Sequence, residues 1–151
     1  MKLSTRSRYG TRMLLDIAMH CENGPVRIGE ISKRQGVSVK YLEKLIRPLK
    51  KGGFVKSRRG PKGGHMLTKT PDQITVGEVV RLMEGDLALT ECSRNGKSCP
   101  IATDCLTRRI WIEATEAIFE KLDAITFAEL LAEARRAGRE VGACMSPSLD
   151  K

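Results

Sequence analysis

Residues Ser38 to Gly64, SVKYLEKLIRPLKKGGFVKSRRGPKGG, decide the fold. The first half places Leu42, Leu45, Ile46 and Leu49 at helical spacing, so one stripe faces a core while Lys40, Tyr41, Lys44, Arg47 and Lys51 point elsewhere. The second half, Phe54 to Leu67, has short strand-like runs on either side of Arg59-Gly60-Pro61-Lys62-Gly63-Gly64, where proline and glycines permit a turn that can press closely against a ligand. A cationic helix followed at once by a basic hairpin predicts a winged helix. Pro48 breaks the local rule, because proline removes a backbone donor and costs about 3 kcal/mol inside a regular helix. It predicts a kink, or an early loosening into Lys50-Lys51-Gly52-Gly53.

The residues upstream complete the motif. Ser4 or Thr5 can cap a helix whose apolar positions Tyr9, Met13, Leu14, Ile17, Ala18 and Cys21 recur at steps of three and four, until Asn23-Gly24-Pro25 stops it. Cys21 continues that stripe as a small core residue, and His20 is a helix-end residue. Arg27 to Gln35 carries Ile28 and Ile31 on one face and ends at Gly36, and Ser38 caps the next helix. Helix, short glycine-containing turn and helix make a helix-turn-helix, whose second helix here carries the cations.

Downstream, Pro71 closes the hairpin and Thr75-Val76-Gly77-Glu78 has capping-box spacing, opening a short helix that ends at Gly85. Leu89 to Asp104 is polar and turn-rich, a loop built around its cysteines. Cys105 to Ala124 reads as the longest helix, with Leu106, Ile110, Ala114, Ala117 and Leu122 on one stripe and Trp111, Ile112, Thr115 and Phe119 on another. A helix apolar on two sides needs two partners, one in its own chain and one supplied by a second copy. Thr126-Phe127-Ala128-Glu129 opens a last helix that stops near Gly138, and the tail beyond Gly142, with Cys144, has no periodicity.

The predicted architecture is therefore mainly α with a small β-wing: a winged helix-turn-helix plus a long dimerisation helix. Residues 1–70 form the DNA-binding region, 71–138 the dimerisation and cysteine-loop region, and 139–151 a flexible tail.

The net charge of +9 is segregated. Residues 1–70 carry 17 cations against 4 anions, a balance of +13, whereas residues 71–151 sum to −4. An excess of this kind beside a helix-turn-helix points to nucleic acid. With aromatics at 4% the chain lacks stacking platforms for single strands, which favours duplex DNA. No apolar run reaches the roughly 20 residues needed to cross a membrane, and the start is too polar for a secretion signal, so a cytoplasmic protein is expected. An enzyme is not: there are no paired catalytic acids, no nucleophile with a base and no phosphate-binding loop, and Gly60, Gly63 and Gly64 lack the strand-to-helix context of a nucleotide fingerprint.

Three of the five cysteines lie at Cys92-x₆-Cys99-x₅-Cys105. Structural zinc sites usually contain a Cys-x-x-Cys turn, which is missing, so zinc ranks second. Wider spacing suits an iron–sulfur cluster wrapped by a loop. A cluster-free thiol switch, in which two of the three pair on oxidation, is a further alternative. A protein- or RNA-binding winged-helix subunit is the alternative of another class.

Lys2-Leu3-Ser4 with Arg8-Tyr9, the run from Ile31 through Ser38 to Glu43, the Arg59-Gly60-Pro61-x-Gly63-Gly64 wing, Thr75-Val76-Gly77-Glu78-Val79 and the cysteine loop occur together in one order. In this the chain resembles the IscR/NsrR-type regulators over roughly residues 1 to 135. The resemblance implies a dimeric winged-helix transcription factor, paired through its long helix and acting as a repressor, whose iron–sulfur cluster, 2Fe–2S ahead of 4Fe–4S, senses iron–sulfur supply, redox state or nitric oxide. By position, Cys92, Cys99 and Cys105 are the implied cluster ligands. One branch of the family has a histidine three residues after the third cysteine, where Arg108 stands here, and another uses an N-terminal aspartate, where Arg8 stands here. The fourth ligand stays open among Glu91, Asp104, Glu113, Cys144 and an external thiol. Resemblance and local chemistry agree on Lys40, Tyr41 and Lys44 of the reading helix and Arg59 of the wing as contacts to operator DNA. Glu43 can accept from cytosine, or pair with Arg47 within the helix.

Overall fold

The computed structural model describes residues 2–85 and 87–140. Cys144 and the tail from 141 onward lie outside the described residues. Among the described residues seven α-helices and one hairpin follow in order: α1 Thr5–His20, α2 Ile28–Gln35, α3 Val39–Lys51, β1 Val55–Arg58, β2 Gly64–Leu67, α4 Val76–Glu84, α5 Glu91–Arg94, α6 Leu106–Asp123 and α7 Phe127–Arg136. The fold is mainly helical with one antiparallel two-stranded wing.

Local chemistry sets most boundaries. The Ser4 hydroxyl accepts from the Arg6 amide, and that of Ser38 from the Tyr41 amide. Thr75 with Glu78, and Thr126 with Glu129, close reciprocal capping boxes at the starts of α4 and α7. Gly36 ends α2 in the left-handed region at φ 64°. The expected early loosening at Pro48 does not occur: α3 runs through to Lys51, and the Gly52 amide still reaches the Pro48 carbonyl at 2.8 Å. Leu45, Ile46 and Leu49 are buried on both sides of the proline, so packing holds the turn that proline weakens.

The core is centred on α1. Met13, Leu14 and Ile17 are fully buried among Ile31 of α2, Leu42, Leu45 and Leu49 of α3, Val79 and Met83 of α4, and Phe127 and Leu131 of α7. At about 1.5–3 kcal/mol per buried large side chain, this cluster dominates stability, and it joins the helix-turn-helix to the C-terminal helices.

Polar clasps fix the joints. The guanidinium of Arg81 in α4 grips Asp123 at the end of α6 through two bonds of 2.6 Å, holding that carboxyl below its usual range. Behind them Gly77 leaves no room for a side chain, since a Cβ there would meet an Asp123 oxygen at 1.9 Å.

Glu84, the last residue of α4, accepts from the Ser4 amide at 2.8 Å, the Ser4 hydroxyl at 2.6 Å and the Ser7 hydroxyl. Burial would raise its pKa, but these donors outweigh it and hold the carboxyl below its usual value. A depressed carboxyl contributes stability that is present above the unfolded-state value and is lost as pH falls through the folded-state value. Glu84→Gln should therefore be less stable than wild type at neutral pH, with the gap closing as pH falls through and below the ordinary carboxylate range. Urea titrations at stepped pH check this, and a gap independent of pH would show that the charge contributes nothing.

Candidate nucleic-acid interface and cysteine loop

Helix α3 buries Leu42, Leu45, Ile46 and Leu49 and leaves Lys40, Glu43, Lys44 and Arg47 exposed on the opposite side. Steps of three and four place these four on neighbouring turns of one face. Among the described residues none of them forms an ion pair, so the Glu43–Arg47 pairing weighed from sequence is not made. Tyr41 sits differently. It is half-buried, meets Tyr9 edge-to-face at 5.9 Å between centroids, and donates its hydroxyl to Thr5 at 3.2 Å. Its ring locks α3 to α1, leaving only an edge for a ligand.

The wing is pinned at its base. Its register pairs Val55 with Leu67 and Arg58 with Gly64. Val26, in the linker between α1 and α2, exchanges backbone hydrogen bonds with His65 at 2.9 and 2.8 Å, an isolated antiparallel bridge beside the two strands. Gly64 makes this approach possible, since a Cβ there would lie 2.6 Å from the Val26 carbonyl oxygen. Arg27 donates to the Pro61 carbonyl, which ties the tip to the same linker. Arg59 projects from the exposed tip beside Gly60, whose φ of 108° suits glycine. His65 is kept neutral: burial, then the nearby Lys50 charge, lower its pKa, and its Nδ1 lies 2.9 Å from the Ser57 hydroxyl.

The orientation of α2 against α1 depends on a residue that sequence reading passed over. The Asp16 carboxylate is buried in α1 and receives Arg34 Nη2 at 2.7 Å, Arg34 Nε at 3.2 Å and Gln35 Nε2 at 2.8 Å. The pairing raises the Arg34 pKa, chiefly through the hydrogen bond. An acidic residue within an apolar helical stripe was the available signal.

The cysteine segment is more ordered than the loop expected from its composition. Thr90 caps the four-residue α5, which carries Cys92, and a 3-10 turn at Gly96–Ser98 leads to Cys99. Cys105 occupies the N-cap of α6. All three thiols are free and half-buried. Cys105 lies 3.2 Å from the Thr107 hydroxyl, and that contact, then the Arg108 amide, lowers its pKa and favours the thiolate, the form that binds metals. Arg108 Nε donates to the Cys92 carbonyl at 2.8 Å, bracing α5 against α6.

In donor chemistry these soft thiols, delivered by a single loop, fit an iron–sulfur cluster. Among the described residues no three Cys, His, Asp or Glu side chains converge on one point able to hold a metal ion. Glu91 is engaged by Arg94 and Glu113 by Arg109, which removes neither as a ligand but gives each a competing partner. No helix among the described residues is long and apolar enough to cross a membrane.

Residues 3–133 match the Rrf2 family, described as an iron-dependent transcriptional regulator. The chain is 52% identical over 134 residues to protein rrf2 of Nitratidesulfovibrio vulgaris, covering 89% of each. Among solved structures it is similar to T. potens IscR, with a TM-score of 0.75, 37% identity and 94% of both chains covered. It is also similar to CymR, the global cysteine regulator of B. subtilis, with a TM-score of 0.74, 34% identity, and 88% of this chain and 98% of that one covered.

Proposed function

Because the chain belongs to the Rrf2 family of transcriptional regulators, we propose that it is a cytoplasmic, homodimeric DNA-binding repressor whose operator affinity responds to an iron–sulfur cluster held by Cys92, Cys99 and Cys105. The observation that carries this reading is the coexistence of an unpaired cationic helix face, a pinned wing and a half-buried loop of three thiols in one core-linked chain. Lys40 and Lys44 contact phosphates or guanine edges, Glu43 accepts from cytosine, and Arg59 enters the electronegative minor groove. Tyr41 keeps the helix at its angle and offers its edge to the backbone. Held by Cys92, Cys99 and Cys105, a 2Fe–2S cluster would supply sensitivity to oxidants and nitric oxide, and Cys105, at the N-cap, joins that site to α6.

Anaerobic purification followed by iron, acid-labile sulfide and visible-absorption measurements tests the cofactor. A coloured protein with iron and sulfide in equal amounts is expected, as is loss of colour in Cys92→Ser, Cys99→Ser and Cys105→Ser, while DNA binding is tested separately by anisotropy. A wild type that stays colourless after reconstitution would end the cluster reading. The acidified thiol of Cys105 favours one second reading, a switch in which two loop thiols give up two electrons and two protons to a peroxide and join as a disulfide. Peptide mass mapping after peroxide treatment of the iron-free protein distinguishes it.

A further inference from the structure

Beside the wing lies a cleft of about 590 Å³ that the function above leaves unused. Its walls are the linker between α1 and α2, Glu30 and Arg34 of α2 and the hairpin arms next to the tip, so that Arg27, Arg34, Arg58 and Lys62 share the lining with one acid, Glu30. Asp16 answers the Arg34 charge at 2.7 Å. Glu30 is occupied as the cap of α2, its Oε2 accepting from the Arg27 amide at 3.3 Å. Arg27, Arg58 and Lys62 remain, and among the described residues none of them forms an ion pair with a carboxylate. Arg27 spends one donor on the Pro61 carbonyl, and a guanidinium has five.

This cluster is also held in place. The Val26–His65 bridge, the Arg27–Pro61 bond and the 2.9 Å Gly63-to-Gly60 turn set the distance between the linker cation and the two wing cations. Gly63 is packed so closely that a Cβ would lie 2.3 Å from the Arg58 carbonyl oxygen, which keeps the turn between Arg58 and Lys62 tight. Holding three uncompensated cations near one another costs free energy in the absence of an anion.

We propose that this cleft is a phosphate clamp: Arg27, Arg58 and Lys62 bind a backbone phosphodiester flanking the groove that the wing tip enters. The inference rests on the DNA-binding reading and extends it to a strand the reading helix does not touch. A minor groove is only about 6 Å wide, so a tip lodged in it has a phosphate backbone along each flank. Arg58 and Lys62 stand on either side of Arg59-Gly60-Pro61 in the chain and turn toward the linker, where Arg27 completes the cluster. The clamp carries no sequence information. It adds affinity that every duplex shares and holds the wing against the backbone.

The test is the salt dependence of duplex binding by the full chain, comparing a duplex selected by the wild type from a random pool with a shuffled one. Arg58→Gln with Lys62→Gln should flatten the slope of log affinity against log salt by roughly 1.8 per half-site and weaken both duplexes alike, leaving their ratio unchanged. Arg59→Gln should instead change the ratio. Both wing cations are exposed, so the double variant should fold, and circular dichroism confirms it. Arg27→Lys, which keeps the charge, should keep the slope. A double variant with the wild-type slope overturns the clamp while leaving the DNA reading intact. Competition by inorganic phosphate beyond that of chloride at equal ionic strength, together with an unchanged slope, makes the cleft a small-anion site and also overturns it. A wild type that binds neither duplex overturns the underlying function.

Discussion

Leu106→Asp combined with Ile110→Asp is expected to yield a folded monomer whose affinity for a two-half-site operator is lower by roughly 10²–10⁴ than that of wild type. Helix α6 spans 18 residues, about 27 Å, yet only Phe119 on it is buried. Leu106 is 85% exposed, Ile110 51% and Trp111 40%, and Ile101, in the turn before α6, is 66% exposed. Phe119 of one stripe therefore finds its partners within the chain, where α4 and α5 pack on α6, whereas Leu106 and Ile110 of the other, together with Trp111, face water. A symmetric copy packing the same stripe against this one would bury those side chains, each burial contributing about 1.5–3 kcal/mol. The aspartates fall on positions that a single chain leaves open, so they spare the fold and oppose only the pairing. The affinity loss follows because a second half-site engaged by a joined protomer is an intramolecular event, whereas separate monomers must bind independently. Sedimentation equilibrium gives the mass and anisotropy the affinity; a variant that stays dimeric would place the interface elsewhere.

What could be read from the sequence was local. Caps at Ser38, Thr75 and Thr126 and the glycine that ends α2 act within four residues, and the structure has them where spacing predicts. The buried stripe of α3 and the glycine-proline turn of the wing were legible for the same reason. Long-range pairings were not. Glu84 with Ser4, Arg81 with Asp123, Asp16 with Arg34 and Arg108 with Cys92 join residues 80, 42, 18 and 16 positions apart, and although Asp16 stands out as an acid within an apolar stripe, no periodicity says which residue meets which. Pro48 shows the opposite failure. The local rule offered a kink or an early loosening, and burial of the leucines and isoleucine around the proline carries the helix on to Lys51 without the loosening. Tyr41 was placed among the DNA contacts because it lies on the cationic helix, but its edge-to-face contact with Tyr9, two helices away, could be seen only in three dimensions. In the cysteine loop the ligand types were legible, whereas α5 was hidden in a polar run; Thr90 three residues before Ser93 was its only signature.

Arg34→Met is expected to cost about 3–5 kcal/mol, more than removing the acid it pairs with. The two partners are unequally buried: Asp16 is 3% exposed, while the Arg34 side chain is 33% exposed. When the arginine is lost, the carboxylate stays in the interior with Gln35 and a distant His20 Nδ1 at 3.6 Å, short of its three guanidinium hydrogen bonds. When the acid is lost instead, Arg34 can turn outward and hydrate, so Asp16→Leu should be milder. The double variant Asp16→Leu with Arg34→Met should recover much of the loss, because no buried charge is left unpaired. For a chain of this size the single arginine variant should melt roughly 10 °C lower than wild type. The effect reaches function through geometry: Asp16 lies in α1 and Arg34 in α2, and α2 packs on the reading helix α3, so loosening the pair lets the helix-turn-helix angle drift. Operator affinity should fall in Arg34→Met even at temperatures where the protein is fully folded, and return in the double variant. Thermal unfolding and anisotropy on the three variants decide this, and a double variant no better than Arg34→Met would mean that the pair stabilises through its own attraction and not by relieving a buried charge.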